Sequence, residues 1–234
     1  MALAGFSSRA LAGPGASASP PEVATGATRL EESKPPPSPR ETEGRQELER
    51  ASRYLAAAEK TDDEDERQRN YELSVQHAER AVALLPDDPD AHFVLFGSKG
   101  RIAQNGGLAS AAMALSSLND ELDQVLRLDP DHTDALAARG GMLMKLPRLL
   151  GGDTTEGLHY LERATELNPD GAGTRLELAE AYEIVGRDAD ALRAAREAIA
   201  IAERKGESAK AHRAREFVRD LEASCGGCAM AAGE

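Results

Sequence analysis

Apolar and small residues recur at helical spacing along most of the chain, and proline turns separate the helical stretches. The segments HAERAVALLPDDPDA, LDQVLRLDPDHTDA and LERATELNPDGAGT share one plan, a helix followed by a proline turn and a new helix. Pro86, Pro130 and Pro169 mark equivalent turns, 44 and 39 residues apart, and a further interval of 34 ends at Glu203. Such a period predicts an all-α solenoid, in which each helical hairpin buries its face only against its neighbours.

Two stretches carry the pattern most completely. One unit ends at Pro169 and the next spans residues 172–203, and their small and large positions are Leu136, Gly140, Leu143, Gly157, Leu161 and Ala164, then Leu178, Ala179, Tyr182, Ala191, Ala195 and Ala198. Small residues allow two helices to approach closely, and larger ones fill the gaps between them. In these positions the chain resembles the tetratricopeptide-repeat (TPR) superfamily over roughly residues 45–223. The resemblance implies an α-α superhelix of about four hairpins with a C-terminal capping helix.

The predicted domain organisation has three parts. Residues 1–43 are rich in Ala, Pro, Gly and Ser and are expected to be a disordered leader. Residues 44–223 form the repeat domain, and residues 224–234 a flexible Gly/Ala tail. The leader begins MALAGF, which is similar to the end of a signal-peptide apolar region, and Ala16-Ser17-Ala18 fits a cleavage site, although no basic segment comes first. Export to the periplasm or beyond is favoured, and a cytoplasmic location is the alternative.

The segment LPRLLGGD, residues 146–153, departs from the repeat. Pro147 should end the preceding helix, Gly151-Gly152 permits a tight turn, and Asp153 with Glu156 fits a capping box for the next helix. The turn is similar to one in bacterial extracytoplasmic TPR proteins, among them the T-components of tripartite ATP-independent periplasmic transporters. That resemblance implies a periplasmic accessory protein that binds a small molecule near residues 146–153.

The composition limits the classes of function. The chain has 41 acidic and 28 basic residues, a net charge of −13, which disfavours non-specific binding to nucleic acid or to anionic membranes. No apolar run approaches the roughly 20 residues of a membrane-spanning helix. Aromatic residues are 3% of the chain and Trp is absent, so Ala and Leu must build a core of closely packed helices.

Little in the sequence indicates catalysis or a bound cofactor. Cys225 and Cys228 form a C-x-x-C motif that can close as a disulfide, handle redox equivalents or supply half of a metal site. The motif follows a helix and lacks a second cysteine pair, so an inert or oxidised tail is favoured over metal binding, and catalysis is the least favoured of the three. The five histidines have no pair at i, i+4 spacing. We therefore expect no enzyme activity and no cofactor.

The TPR resemblance implies that ligand peptides bind a concave groove lined by the first helices of successive hairpins. Periodicity places the following residues on or near it: Phe93, Gly97, Arg101, Ala137, Gly141, Met144, Lys145, Leu176, Glu180 and Glu183. Arg101 and Lys145 are expected to bind a carboxylate of the ligand, while Phe93 and Met144 supply apolar contact. The competing interpretation is that these charges only solvate the helices. The sequence thus favours a non-catalytic scaffold that binds a protein segment.

Overall fold

A computed structural model describes residues 36–224, apart from the side chain of residue 108, and this part of the chain is helical throughout. The elements in order are α1 Pro39–Ala58, α2 Glu64–Leu84, α3 Pro89–Asn105, α4 Gly107–Leu128, α5 Thr133–Lys145, a 3-10 helix Arg148–Leu150, α6 Thr154–Leu167, α7 Ala172–Ile184, α8 Asp188–Lys205 and α9 Ser208–Ser224. The predicted all-α class is confirmed.

The helices pack as consecutive hairpins, α1–α2, α3–α4, α5–α6 and α7–α8, and α9 packs on α8 at the end of the array. Separate apolar clusters fill successive layers rather than one central core. One is centred on Ala51, Ala78 and Leu95, and another on Leu122, Val125 and Ala135. These two clusters each involve only neighbouring helices, and a third, continuous cluster extends from Leu136 of α5 to Leu221 of α9. The described residues thus contain the four predicted hairpins and the capping helix.

The start of the first helix differs from the sequence prediction. It begins at Pro39, before the predicted boundary at residue 44, because Ser38 caps it and proline suits the first helical turn. The second helix begins inside the acidic run 61–66, whose last three residues form the first turn of α2. Asp63 caps that helix through the Glu66 amide, and carboxylates near a helix N-terminus interact favourably with its dipole.

The turn at residues 146–153 is held by backbone hydrogen bonds. The helix α5 ends at Lys145, Gly151 takes a left-handed conformation with φ of 90°, and Gly152 is buried. The Asp153 carboxylate accepts from the amides of Thr155 and Glu156, as the capping box predicted. The Asp153 amide, however, donates to the Leu143 carbonyl oxygen at 3.1 Å, so the turn is tied back to α5.

Candidate functional site

The close approach of α5 and α6 fixes how α5 is rotated. A Cβ at Gly140 would lie 2.7 Å from Leu161 Cγ and 2.8 Å from the Gly157 carbonyl oxygen. Gly140 therefore marks the point where the two helices touch, as the sequence predicted. A Cβ at the next residue, Gly141, would meet nothing within 4 Å. Because successive helical residues differ by about 100° in direction, Gly141 faces open space while Gly140 faces α6.

The outward surfaces of α5 and α7 form one mixed-charge face. On α5, Asp134, Gly141 and Lys145 lie along one line at helical spacing, and on α7 Gly173, Glu177 and Glu180 do the same. A Cβ at Gly173 would also meet nothing within 4 Å, so both lines include a glycine that no other helix covers. We call this surface, defined by these six residues, the α5–α7 face.

Glu180 is the centre of the ion pairs on the α5–α7 face. One of its carboxylate oxygens accepts from the Arg213 guanidinium of α9 at 2.5 Å. The other lies 4.0 Å from the Lys145 ammonium. Both cations of this region are thereby directed at a single carboxylate. Glu180 lies on α7, which contacts both α5 and α9, so its ion pairs connect side chains of three helices.

Glu177 is a partly buried carboxyl group on the α5–α7 face. Partial burial raises the pKa of Glu177; Lys145 opposes that shift in pKa and Glu180 adds to it, followed by smaller effects of Arg213 and Asp134. Within residues 36–224, no hydrogen bond or ion pair reaches the Glu177 side chain. The face therefore contains a partly desolvated carboxyl group without a bonded counter-ion.

The structure separates the predicted groove residues into three groups. Gly141, Lys145 and Glu180 lie together on the α5–α7 face, and Glu183 is exposed on α7. Three others are corrected, because Ala137, Met144 and Leu176 are 6%, 7% and 3% exposed and belong to the core. They lie about a quarter turn away from the open line, toward the neighbouring helices, and so cannot meet a ligand without unpacking.

The remaining predicted residues all lie on α3, in the second hairpin. Phe93 is half-buried and packs against His132, with ring centroids 4.9 Å apart. A Cβ at Gly97 would lie 3.7 Å from Leu55 of α1, and the Arg101 guanidinium donates to Glu59 at 2.7 Å. The sequence predicts that Arg101 and Lys145 bind a ligand carboxylate. In the structure each faces a carboxylate of the chain, so a ligand carboxylate would compete with that ion pair.

Four members of this site were missed from the sequence: Asp134, Gly173, Glu177 and Arg213. Glu177 could have been found, since it lies one turn before Glu180 on the same side of a helix. Arg213 could not, because its place beside Glu180 depends on how α9 packs. With the 39-residue interval from Pro130 to Pro169, Gly173 is equivalent to Asp134 of the preceding hairpin, so finding either residue would have identified the other.

The other predicted sites are the 146–153 turn and the C-x-x-C motif. In the 146–153 turn, Leu149 is 97% and Leu150 49% exposed. The two hollows described on the surface lie elsewhere, one lined in part by Val75, Lys99 and Ile102, and one beside the start of α1. Cys225 and Cys228 lie outside the described residues. Between residues 36 and 224, no cluster of three potential metal ligands occurs, and no helix is long and apolar enough to cross a membrane.

The helical array is similar to solved TPR structures. A thermophilic TPR protein of Thermus thermophilus, TTC0263, is 20% identical, with 76% of this chain and 98% of that chain covered and a TM-score of 0.53. For PilF of Pseudomonas aeruginosa the values are 16%, 79%, 78% and 0.51, and for MamA of Desulfovibrio magneticus RS-1 they are 17%, 78%, 97% and 0.48. Comparisons with protein-family models and with curated proteins found no match. The first two likenesses show that this chain has the TPR fold.

Proposed function

We propose that this protein is a non-catalytic scaffold that binds an extended segment of a protein partner along the α5–α7 face. The supporting observation is the pair of uncovered glycines, Gly141 and Gly173, on adjacent first helices. A bare helix surface without side chains lets the backbone of a ligand come close. The charged groups beside the glycines can then bind the ligand's side chains.

The fold supports this proposal because its helices are formed before the ligand arrives. Ordering a binding surface costs conformational entropy, and a preformed surface avoids that cost on the protein's side. A shared buried apolar cluster that includes Leu136 of α5, Leu178 of α7 and Leu221 of α9 holds the relative positions of these helices. The bound segment would therefore meet a rigid surface.

The test fills the open space on α5. The variant Gly141→Leu places a leucine side chain on the α5–α7 face, while Ala200→Leu places the same side chain at an exposed position of α8. Both full-length proteins are used as bait in an extract of the native cells, after circular dichroism has shown equal helix content. We expect a partner retained by the wild type and by Ala200→Leu to be lost from Gly141→Leu. Equal capture by all three would exclude the face as the binding site.

A second candidate function is a periplasmic accessory role in which a small molecule binds beside residues 146–153. The observation that favours it is the exposure of Leu149 and Leu150 on a turn held by backbone hydrogen bonds. Native mass spectrometry of protein from its own cells tests the ligand. A bound mass that is lost in Leu149→Ser/Leu150→Ser but kept in Gly141→Leu supports this candidate, and its absence from the wild type argues against it.

Export is part of the second candidate and has its own test. The sequence expectation is that a signal peptide is cleaved after Ala18. Fractionation of the cells followed by N-terminal sequencing would find a mature protein that begins at Ser19 in the periplasmic fraction. A full-length chain confined to the cytoplasmic fraction would contradict export.

A further inference from the structure

We propose that the segment bound by the α5–α7 face is basic, and that a lysine or arginine of the ligand pairs with Glu177. This inference rests on the proposed function and specifies its partner. It reverses the expectation from the sequence, in which Arg101 and Lys145 accept a carboxylate. The reason lies in how the charges of α5, α7 and α9 are paired.

Both cations of this region already face a carboxylate of the chain. Lys145 and Arg213 approach different oxygens of the Glu180 carboxylate, at 4.0 Å and 2.5 Å. An acidic ligand would compete with Glu180 for these two cations, and it would lie near the negative charges of Glu177 and Asp134. Like charges at short range oppose such a complex.

The anions of this region outnumber its cations. Asp134, Glu177 and Glu180 face the ligand from α5 and α7, against Lys145 and Arg213 from α5 and α9. Across the described residues, neither Asp134 nor Glu177 has an ion-pair or hydrogen-bond partner. Glu177 is also partly withdrawn from water. A carboxylate in that position gains more from a cation than one on an open surface, because the lower local dielectric strengthens their attraction.

The glycines give a basic side chain access to this carboxylate. Gly141 and Gly173 lie one helical turn before Lys145 and Glu177, respectively, on the same lines. A ligand backbone that rests on the two glycines can direct a long side chain along α7 toward Glu177. Lysine and arginine have the length and the donors for this pairing, and arginine can bind a carboxylate through two parallel hydrogen bonds.

The experiment uses three synthetic peptides of about 15 residues with a common set of Leu and Ala positions and with Arg, Gln or Glu at the polar ones. Fluorescence anisotropy measures their binding to the full-length chain at low and high salt. The Arg peptide should bind most tightly and the Glu peptide least tightly, and added salt should weaken the binding of the Arg peptide. In Glu177→Gln, affinity for the Arg peptide should fall at least about ten-fold, the effect of losing a charged hydrogen bond.

Glu166→Gln is the matched control, because it removes one exposed carboxylate from α6 and should leave affinity unchanged. If Gly141→Leu abolishes binding but the three peptides bind equally and Glu177→Gln has no effect, the face is confirmed and the basic ligand is refuted. Equal losses in Glu177→Gln and Glu166→Gln would also refute it, since only net charge would then matter. If Gly141→Leu leaves binding of every peptide unchanged, the proposed function itself fails.

Discussion

Adjacent glycines on α5 allow a direct test of how this helix packs against α6, since the same substitution should have opposite effects one residue apart. Gly140→Ala adds a methyl group at the contact with α6, and Gly141→Ala adds it to the α5–α7 face. Both replace glycine by alanine inside one 13-residue helix, so the change in helix propensity is nearly equal. Any difference in stability between the two variants then reports the surroundings of the methyl group.

The expected magnitudes follow from the distances. At Gly141 the new Cβ has nothing within 4 Å, so the gain in helix propensity remains and should stabilise the fold by roughly 0.5–1 kcal/mol. At Gly140 the Cβ would lie 2.7 Å from Leu161 Cγ and 2.8 Å from a carbonyl oxygen, well inside ordinary contact. Forcing α5 and α6 apart costs about 1–3 kcal/mol and opens gaps beside the new contact. Because the gain in helix propensity is the same in both variants, Gly140→Ala should be less stable than Gly141→Ala by about 1–3 kcal/mol, and over most of that range it is also less stable than wild type.

Urea unfolding followed by circular dichroism measures both variants, with the midpoint and slope fitted separately because repeat arrays can lose cooperativity. Gly141→Ala should unfold at higher urea than wild type and Gly140→Ala at lower. If both midpoints move in the same direction by similar amounts, the close contact of α5 with α6 at Gly140 is refuted.

Three further predictions concern other parts of the array. The hydroxyl groups of Ser74 and Ser98 have two hydrogens for three contacts of 2.7–2.8 Å, so either Ser→Ala change should cost about 1 kcal/mol or less in urea unfolding, because the remaining hydroxyl keeps a carbonyl acceptor. A hydrogen bond from His77 lowers the pKa of Glu47. This pair therefore stabilises the fold above the ordinary pKa of glutamate, and the stabilisation is lost as the pH falls through the lowered pKa. Glu47→Gln should flatten the acid side of a plot of unfolding free energy against pH. A Cβ at Gly152 would overlap the carbonyl oxygen of Leu146, so Gly152→Ala should lower the thermal midpoint, whereas an unchanged midpoint would mean that the turn adapts freely.

The sequence predicted the repeat architecture because that architecture depends on local spacing. Pro86, Pro130 and Pro169 end or follow helices where the structure places turns, and Gly140 lies at the predicted close contact. Such features depend only on contacts with the neighbouring hairpin. Buried serines are harder to foresee. Ser74 is a polar residue on the buried side of α2, and only the structure shows that it meets Ser98 of the next hairpin.

The binding face was predicted less well, since it depends on the rotation of each helix by less than a quarter turn. Met144 and Lys145 are adjacent in sequence, yet Met144 is buried and Lys145 is exposed. Periodicity alone placed both on the groove. The partner of Lys145 could not be predicted either, because Glu180 is 35 residues away and its position depends on the packing of α5 against α7.

The acidic character of the α5–α7 face follows from where the fold places its cations. Arg163 of α6 pairs with Asp131, and Arg204 of α8 pairs with Asp170, so each arginine links its hairpin to the preceding proline turn. On the first helices themselves, Arg139 of α5 pairs with Asp123 and Arg175 of α7 pairs with Glu197, and neither arginine is on the line of residues that forms the α5–α7 face. A net charge of −13 would by itself attract basic partners to the whole surface. The pairing pattern points to one group, because Glu177 is partly withdrawn from water and has no ion-pair partner among the described residues. Replacing Glu177 should therefore change binding, whereas replacing an equally charged residue of α6 should not.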